Sequence, residues 1–115
     1  VNCNDLIQRL VAAIIRQEGM PPMYANPGNL RAAPWIAGAT IAKGFWVPLN
    51  RADGIAGLAH CVALRIAERE TLAQLITAWA PPSDGNNTAA YIANVKNWAA
   101  IPDENVPLYN YLVTP

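Results

Sequence analysis

Two proline pairs divide this chain more firmly than any other feature. Proline lacks a backbone N–H and its ring clashes with the preceding turn, so no helix runs through Pro21-Pro22 or Pro81-Pro82. Before the first pair, Leu6, Ile7, Leu10, Val11, Ile14 and Ile15 recur at three- and four-residue spacing. That predicts an amphipathic helix with Asn2 or Asn4 as its N-cap and Gly19 as its stop. The pattern is then lost until about residue 50, under Pro27, Gly28, Pro34, Gly38, Gly44 and Pro48. A long structured loop is expected there, with a small β-hairpin near residues 30–33 and 41–47.

Three more helices follow in the pattern. The stripe Ile55, Leu58, Val62 and Ile66 predicts a helix over residues 52–69, and Gly54 and Gly57 within it predict a closely packed neighbour. Thr71-Leu-Ala-Gln74 matches a capping box opening a third helix with Leu72, Leu75, Ile76 and Trp79, which the second proline pair ends. Residues 83–87 read as a turn. Thr88 is the expected cap of a fourth helix carrying Tyr91, Ile92, Val95 and Trp98. The tail, residues 102–115, is expected to lie extended on the surface. The fold class is therefore mainly α: one small helical domain over residues 1–115 with one irregular excursion.

Composition narrows the function classes. The chain has 115 residues, enough for one core but not two. An apolar share of 53% against 14% charged excludes a disordered tail. Eight basic and eight acidic residues cancel, so neither a general electrostatic nucleic-acid binder nor a polybasic membrane anchor is expected. No run reaches the ~18 apolar residues of a spanning helix; the longest candidate, residues 32–42, contains Pro34 and Gly38. Cys3 and Cys61 are too few for a thiolate zinc site. They form either one disulfide or two small apolar residues, and the helical pattern around Cys61 favours the second.

Glu18 stands in the wrong place for a surface acid. It lies four residues from Ile14 and three from Ile15, so it continues the apolar stripe of the first helix. It also sits at the C-terminal end, where the helix dipole disfavours negative charge. Both effects push a carboxyl pKa upward, which is what a general acid requires. The alternative is an ion pair with Arg16, Arg31 or another cation. Soon after comes Asn26-Pro-Gly-Asn-Leu-Arg31, a turned segment whose two amides (Asn26 and Asn29) suit sugar hydroxyls and N-acetyl groups. Ordinary turn chemistry is the alternative there.

These segments carry a resemblance. Ala12-Ala-Ile-Ile-Arg-Gln-Glu18 resembles the helix bearing the catalytic glutamate in soluble lytic transglycosylases and goose-type lysozymes. Ala78-Trp-Ala-Pro-Pro-Ser-Asp-Gly-Asn-Asn-Thr-Ala-Ala-Tyr91-Ile-Ala-Asn-Val95 is similar to their second signature, a turn followed by Thr, Tyr and Val on the final helix. The Asn26–Arg31 motif is similar to bacteriophage and prophage lysozyme-like proteins, virion-associated ones and endolysins included. The resemblance spans about residues 5–101. It implies a lysozyme-like α-fold with a groove for peptidoglycan glycan strands and, from that substrate, a secreted, periplasmic or virion-associated location. Such domains are often strongly basic, and the neutral charge of this chain points instead to weak activity or to delivery within a larger virion or cell-wall assembly. It implies that Glu18 protonates the bond between N-acetylmuramic acid and N-acetylglucosamine, and that Tyr91 and the Asn26, Asn29 and Arg31 segment face the groove. No metal or organic cofactor is implied. The chain departs from the pattern at Gly19, where the family has Ser, and at Trp79-Ala80, where it has Tyr-Asn; the Gly-Leu-Met-Gln segment is absent. The alternative function is a phage-derived module that holds glycan without cutting it.

Other candidates complete the reading. Asp53 and Asp84 are candidates for a second carboxylate that would orient water. Trp35 and Trp46, in the irregular segment, are the expected sugar-stacking residues, whereas Trp79 and Trp98 fit helix core stripes. His60 and Cys61 are adjacent on a helix and so point apart, which excludes a direct nucleophile–base pair.

Overall fold

The computed structural model describes residues 1–19, 25–28, 30, 40–42 and 45–112. Its architecture is mainly helical, as the pattern predicts. Helix α1 runs Cys3–Glu18; the Asn2 side chain accepts from the Asp5 N–H at 2.9 Å. It stops at Gly19, whose left-handed φ of 63° lets its N–H reach the Ile15 carbonyl. Strands β1 (Thr40–Ala42) and β2 (Phe45–Val47) form an antiparallel hairpin whose register pairs Ile41 with Trp46 along the backbone. The Trp46 N–H also donates to the Leu30 carbonyl at 2.9 Å. Helix α2 is Arg51–Ala67, capped by Asn50, and α3 is Leu72–Trp79, with both bonds of the Thr71/Gln74 capping box formed.

Helix α4 (Thr88–Trp98) starts differently from the expectation. Asn87 is the cap, accepting from the Ala90 N–H, and Thr88 is the first helical residue. The Thr88 hydroxyl is engaged elsewhere: it donates to the Ala80 carbonyl at 2.7 Å, satisfying an orphan acceptor where α3 ends. The tail differs too. It does not lie extended on the surface but turns into a 3₁₀ helix, Leu108–Tyr111, with Leu108 fully buried. The Leu108 N–H donates to the Glu70 carbonyl and the Ala73 N–H to the Glu104 carbonyl, so the tail clamps the α2–α3 junction. Both cysteines are free; Cys61 is half-buried, while Cys3 is exposed where a buried apolar role was expected.

The main core joins Leu6, Leu10 and Ile14 of α1 to Leu58, Val62 and Ile66 of α2, Leu72, Leu75 and Ile76 of α3, and Val95 of α4. Each fully buried aliphatic side chain contributes about 1.5–3 kcal/mol. A second, smaller cluster holds the hairpin down. Trp46 and Leu30 pack there, with Cys61 and Trp79 against them. This seat exists because α2 lacks side chains at two positions. A Cβ at Gly54 would overlap the Ala25 carbonyl, and one at Gly57 would overlap the Trp46 ring. Asn26 locks the arrangement. It is 2% exposed, and its Nδ2 donates to the Leu30 carbonyl at 2.9 Å and the Trp46 carbonyl at 3.0 Å, while its Oδ1 accepts from the Leu30 N–H at 3.0 Å.

Two expectations follow for stability. Gly54→Ala gains about 1 kcal/mol of helix propensity. It meets a backbone atom that cannot rotate away, at an overpacking cost of about 3 kcal/mol. Urea denaturation should therefore show a net loss of about 2 kcal/mol. Asn26→Ala leaves the Leu30 N–H and the Trp46 carbonyl unpaired in a buried site, while the Leu30 carbonyl keeps the Trp46 N–H, and should cost roughly 3 kcal/mol in the same assay. A loss under about 1 kcal/mol would show that Asn26 is not the clip.

Candidate active site

Two helix ends converge on one cavity. Glu18 is the last residue of α1 and Trp79 the last of α3. Together with Leu30, Phe45, Ala78, Ala80, Asp84 and Asn86 they line an open cavity of about 290 Å³. That is at the small end of ligand sites, roughly 300–1,000 Å³. The hairpin and the Asn26 clip supply one wall through Phe45 and Leu30. The turn after α3 supplies the other: Pro81 ends the helix, the Asp84 N–H donates to the Pro81 carbonyl, and Gly85 turns the chain in the left-handed region at φ 79°. The Asn86 amide donates to the same Pro81 carbonyl at 3.1 Å, which holds Asp84 and Asn86 at the rim.

Glu18 is half-buried, and burial pushes its carboxyl above the usual glutamate range. The Trp79 indole, within reach of it as a donor, opposes that shift without cancelling it. Since indole nitrogen is only a donor, Trp79 gives and Glu18 accepts. Tyr91 lies close by on α4. Its ring is 4% exposed, and its hydroxyl is buried without a hydrogen-bond partner among the described residues. Burial first, and then the Glu18 charge, push the Tyr91 phenol up, so it stays a neutral donor. Near Glu18 the two helices are fastened by Asn94 donating to Gln17 at 2.9 Å and by Arg16 lying over the Trp98 ring at 4.1 Å. The result is a carboxyl that holds its proton to higher pH than usual and opens onto a cavity, which is the configuration of a general acid.

The sequence candidates separate cleanly. Glu18 and Asp84 line the cavity, and Tyr91 sits beside Glu18. Asp53 does not line it: it lies exposed in the first turn of α2, where a negative charge complements the dipole. Asn26 is buried, with both donors and its carbonyl committed to backbone partners, which leaves no donor for a glycan. Trp46, an expected stacking residue, is 4% exposed and packs over Gly57. Asn29, Arg31 and Trp35 lie outside the described residues. Trp79, expected in the core, does pack half-buried against both hydrophobic clusters, and it also lines the cavity. Its position carried a signal that Glu18 shares: each continues an apolar stripe to the last residue of its helix, where the stripe runs out of core. Phe45 and Asn86 had no such signal. Among the described residues no group of three or more His, Cys, Asp or Glu could hold a metal ion, and no helix is long and apolar enough to cross a membrane. Comparison with known proteins finds no match: no family model, curated protein or solved structure is significantly similar to the chain.

The raised Glu18 pKa has a consequence for stability. Between the unfolded and folded pKa values the native state binds more protons than the unfolded one. Stability therefore falls as pH rises from the ordinary glutamate range through Glu18's raised value. Glu18→Gln removes that loss. Its melting temperature should exceed wild type at pH 7, and the difference should shrink as pH falls to 4. A gap of the opposite sign at pH 7 would mean Glu18 is stabilised as a carboxylate by a partner.

Proposed function

We propose that this protein cleaves peptidoglycan glycan strands at the bond between N-acetylmuramic acid and N-acetylglucosamine, with Glu18 as the general acid. The observation that carries this reading is the half-buried Glu18, with its raised pKa, open to a cavity of mixed character. Phe45 and Trp79 offer apolar faces for a sugar ring, and Asp84 and Asn86 offer polar atoms for its hydroxyls. The resemblance of the Glu18 helix and of the segment from Ala78 to Val95 to lytic transglycosylases and goose-type lysozymes supplies the substrate class. Glu18 gives its proton to the glycosidic oxygen as the C1–O bond breaks. The resulting carboxylate then accepts a proton, either from the muramic acid C6 hydroxyl as an anhydro ring closes or from a water molecule that attacks C1. The first route needs one carboxyl group; the second gains from a second carboxylate that orients water, and Asp84 lines the same cavity.

The second reading is a glycan-holding module of phage or prophage origin. The exact balance of eight basic and eight acidic residues favours it, because a freely diffusing wall enzyme gains from a positive charge that this chain lacks. Under either reading the substrate lies outside the cytoplasmic membrane, so the protein is secreted, periplasmic or carried on a virion.

Wild type, Glu18→Gln and Asp84→Asn, incubated with purified peptidoglycan and read by mass spectrometry, decide between them. Cleavage is expected from wild type, and Glu18→Gln should lower its rate by at least about 100-fold, the low end for a general acid. Anhydro ends with Asp84→Asn active mark a transglycosylase; reducing ends lost with Asp84→Asn mark a lysozyme. No soluble product, with glycan retained in a pull-down, rejects the enzyme in favour of the holding module.

A further inference from the structure

We propose that Trp79 is the positioning residue of Glu18: its indole N–H holds the carboxyl against the cavity wall, and its packed ring ties the orientation of that carboxyl to the seating of the β-hairpin. The consequence for rate rests on Glu18 being the acid proposed above; the indole–carboxyl bond itself does not. Three observations combine. Trp79 and Glu18 end their helices and line one cavity, which puts the indole N–H within reach of the carboxyl. The Trp79 ring packs on the cluster of Trp46 and Leu30. Trp46 in turn lies over Gly57 and is held through its carbonyl by Asn26. A ring wedged in this way cannot follow Glu18 if the carboxyl rotates, so the bond fixes one carboxyl orientation.

The chemistry of the donor makes the bond dependent on protonation. An indole offers one N–H and no acceptor. It therefore cannot receive a hydrogen bond from the protonated acid, and it serves the ionised form better. Hydrogen bonds to a charged acceptor are about twice as strong as neutral ones. Trp79 therefore tightens when Glu18 has given up its proton, and it keeps the conjugate base aimed into the cavity for the return step. Burial works in the opposite direction, so the titration of Glu18 is set between the two. In the helix pattern Trp79 is simply the end of an apolar stripe, which is why its donor went unnoticed there.

The test uses the intact chain and needs no turnover. In a ¹⁵N-labelled sample the four tryptophans give four indole N–H signals, and Trp79→Phe identifies that of Trp79. That signal should shift with pH in step with the ¹³C carboxyl signal of Glu18, and it should stop doing so in Glu18→Gln. In Trp79→Phe, Glu18 should titrate at higher pH than in wild type. Replacing Trp79 with benzothienylalanine, which keeps the ring shape without the N–H, should give the same shift if Phe leaves too large a hole to fold around. With peptidoglycan as substrate, both variants should move the alkaline limb of kcat/KM to higher pH and lower its plateau about tenfold through loss of orientation. A Trp79 signal indifferent to Glu18, or an unmoved Glu18 titration in the benzothienylalanine protein, overturns the proposal. Absence of any cleavage by wild type overturns the enzyme reading instead, and the two titrations still decide whether Trp79 holds the carboxyl.

Discussion

One wall of the cavity depends on a place where α2 has no side chains. Gly54 and Gly57 lie one turn apart on the face that meets the irregular segment, and they let a backbone carbonyl and an indole ring approach the helix directly. Glycine in a helix interior costs about 1 kcal/mol against alanine, and two such positions would be a poor choice for a helix judged alone. The return is a fixed floor. Ala25 and Pro27 come to rest at Gly54, and Trp46 at Gly57. Asn26, between them, converts that contact into a joint by bonding to Leu30 and Trp46. Leu30 and Phe45 then stand as one wall of the site. The main core, spread over four helices, is a separate cluster; it is the Leu30 and Phe45 wall of the cavity that rests on this joint.

The site itself runs against stability. Glu18 breaks an apolar stripe and Tyr91 hides an unpaired hydroxyl beside it, and an orphaned buried polar group costs about 1–3 kcal/mol. Two unfavourable groups next to each other, at the edge of an otherwise well-satisfied core, mark a place kept for something other than folding. Tyr91 also explains why the pair is worth keeping. A phenol held neutral by its surroundings remains able to donate when the neighbouring carboxyl is ionised.

Local signals were legible in the sequence and long-range ones were not. The Asn2 cap, the Gly19 stop and the Thr71/Gln74 box are each decided within four residues, and each forms. The glycine pair in α2 announced a close neighbour, though not which one. The cap of α4 was misread because Asn87 and Thr88 are both good caps in adjacent positions, and the choice was made by the Ala80 carbonyl eight residues back. The tail's packing is not legible locally, because Leu108 joins the main core and its N–H pairs with the Glu70 carbonyl two helices back in the chain. The burial of Trp46 and the second role of Trp79 at the cavity are hidden for the same reason. Nothing local distinguishes a ring that will cover Gly57 from one that will reach Glu18, since the difference lies in where the hairpin lands.

The charge of the cavity bears on what it could stabilise. Its described lining carries two carboxyl groups, Glu18 and Asp84, and no lysine or arginine. Such a lining does not attract an anion. A chain with no net charge also supplies no long-range steering toward the anionic wall polymers. Affinity for a sugar would then have to come from the apolar faces of Phe45 and Trp79 and from hydrogen bonds, which are the terms that suit a neutral hexosamine ring. Carboxylates in a partly dry cavity become favourable only when positive charge develops between them, and cleavage of a glycosidic bond develops that charge at C1. On the reading proposed above, such an arrangement would be neutral toward the ground state and favourable toward a cationic transition state, which serves cutting a glycan better than holding one.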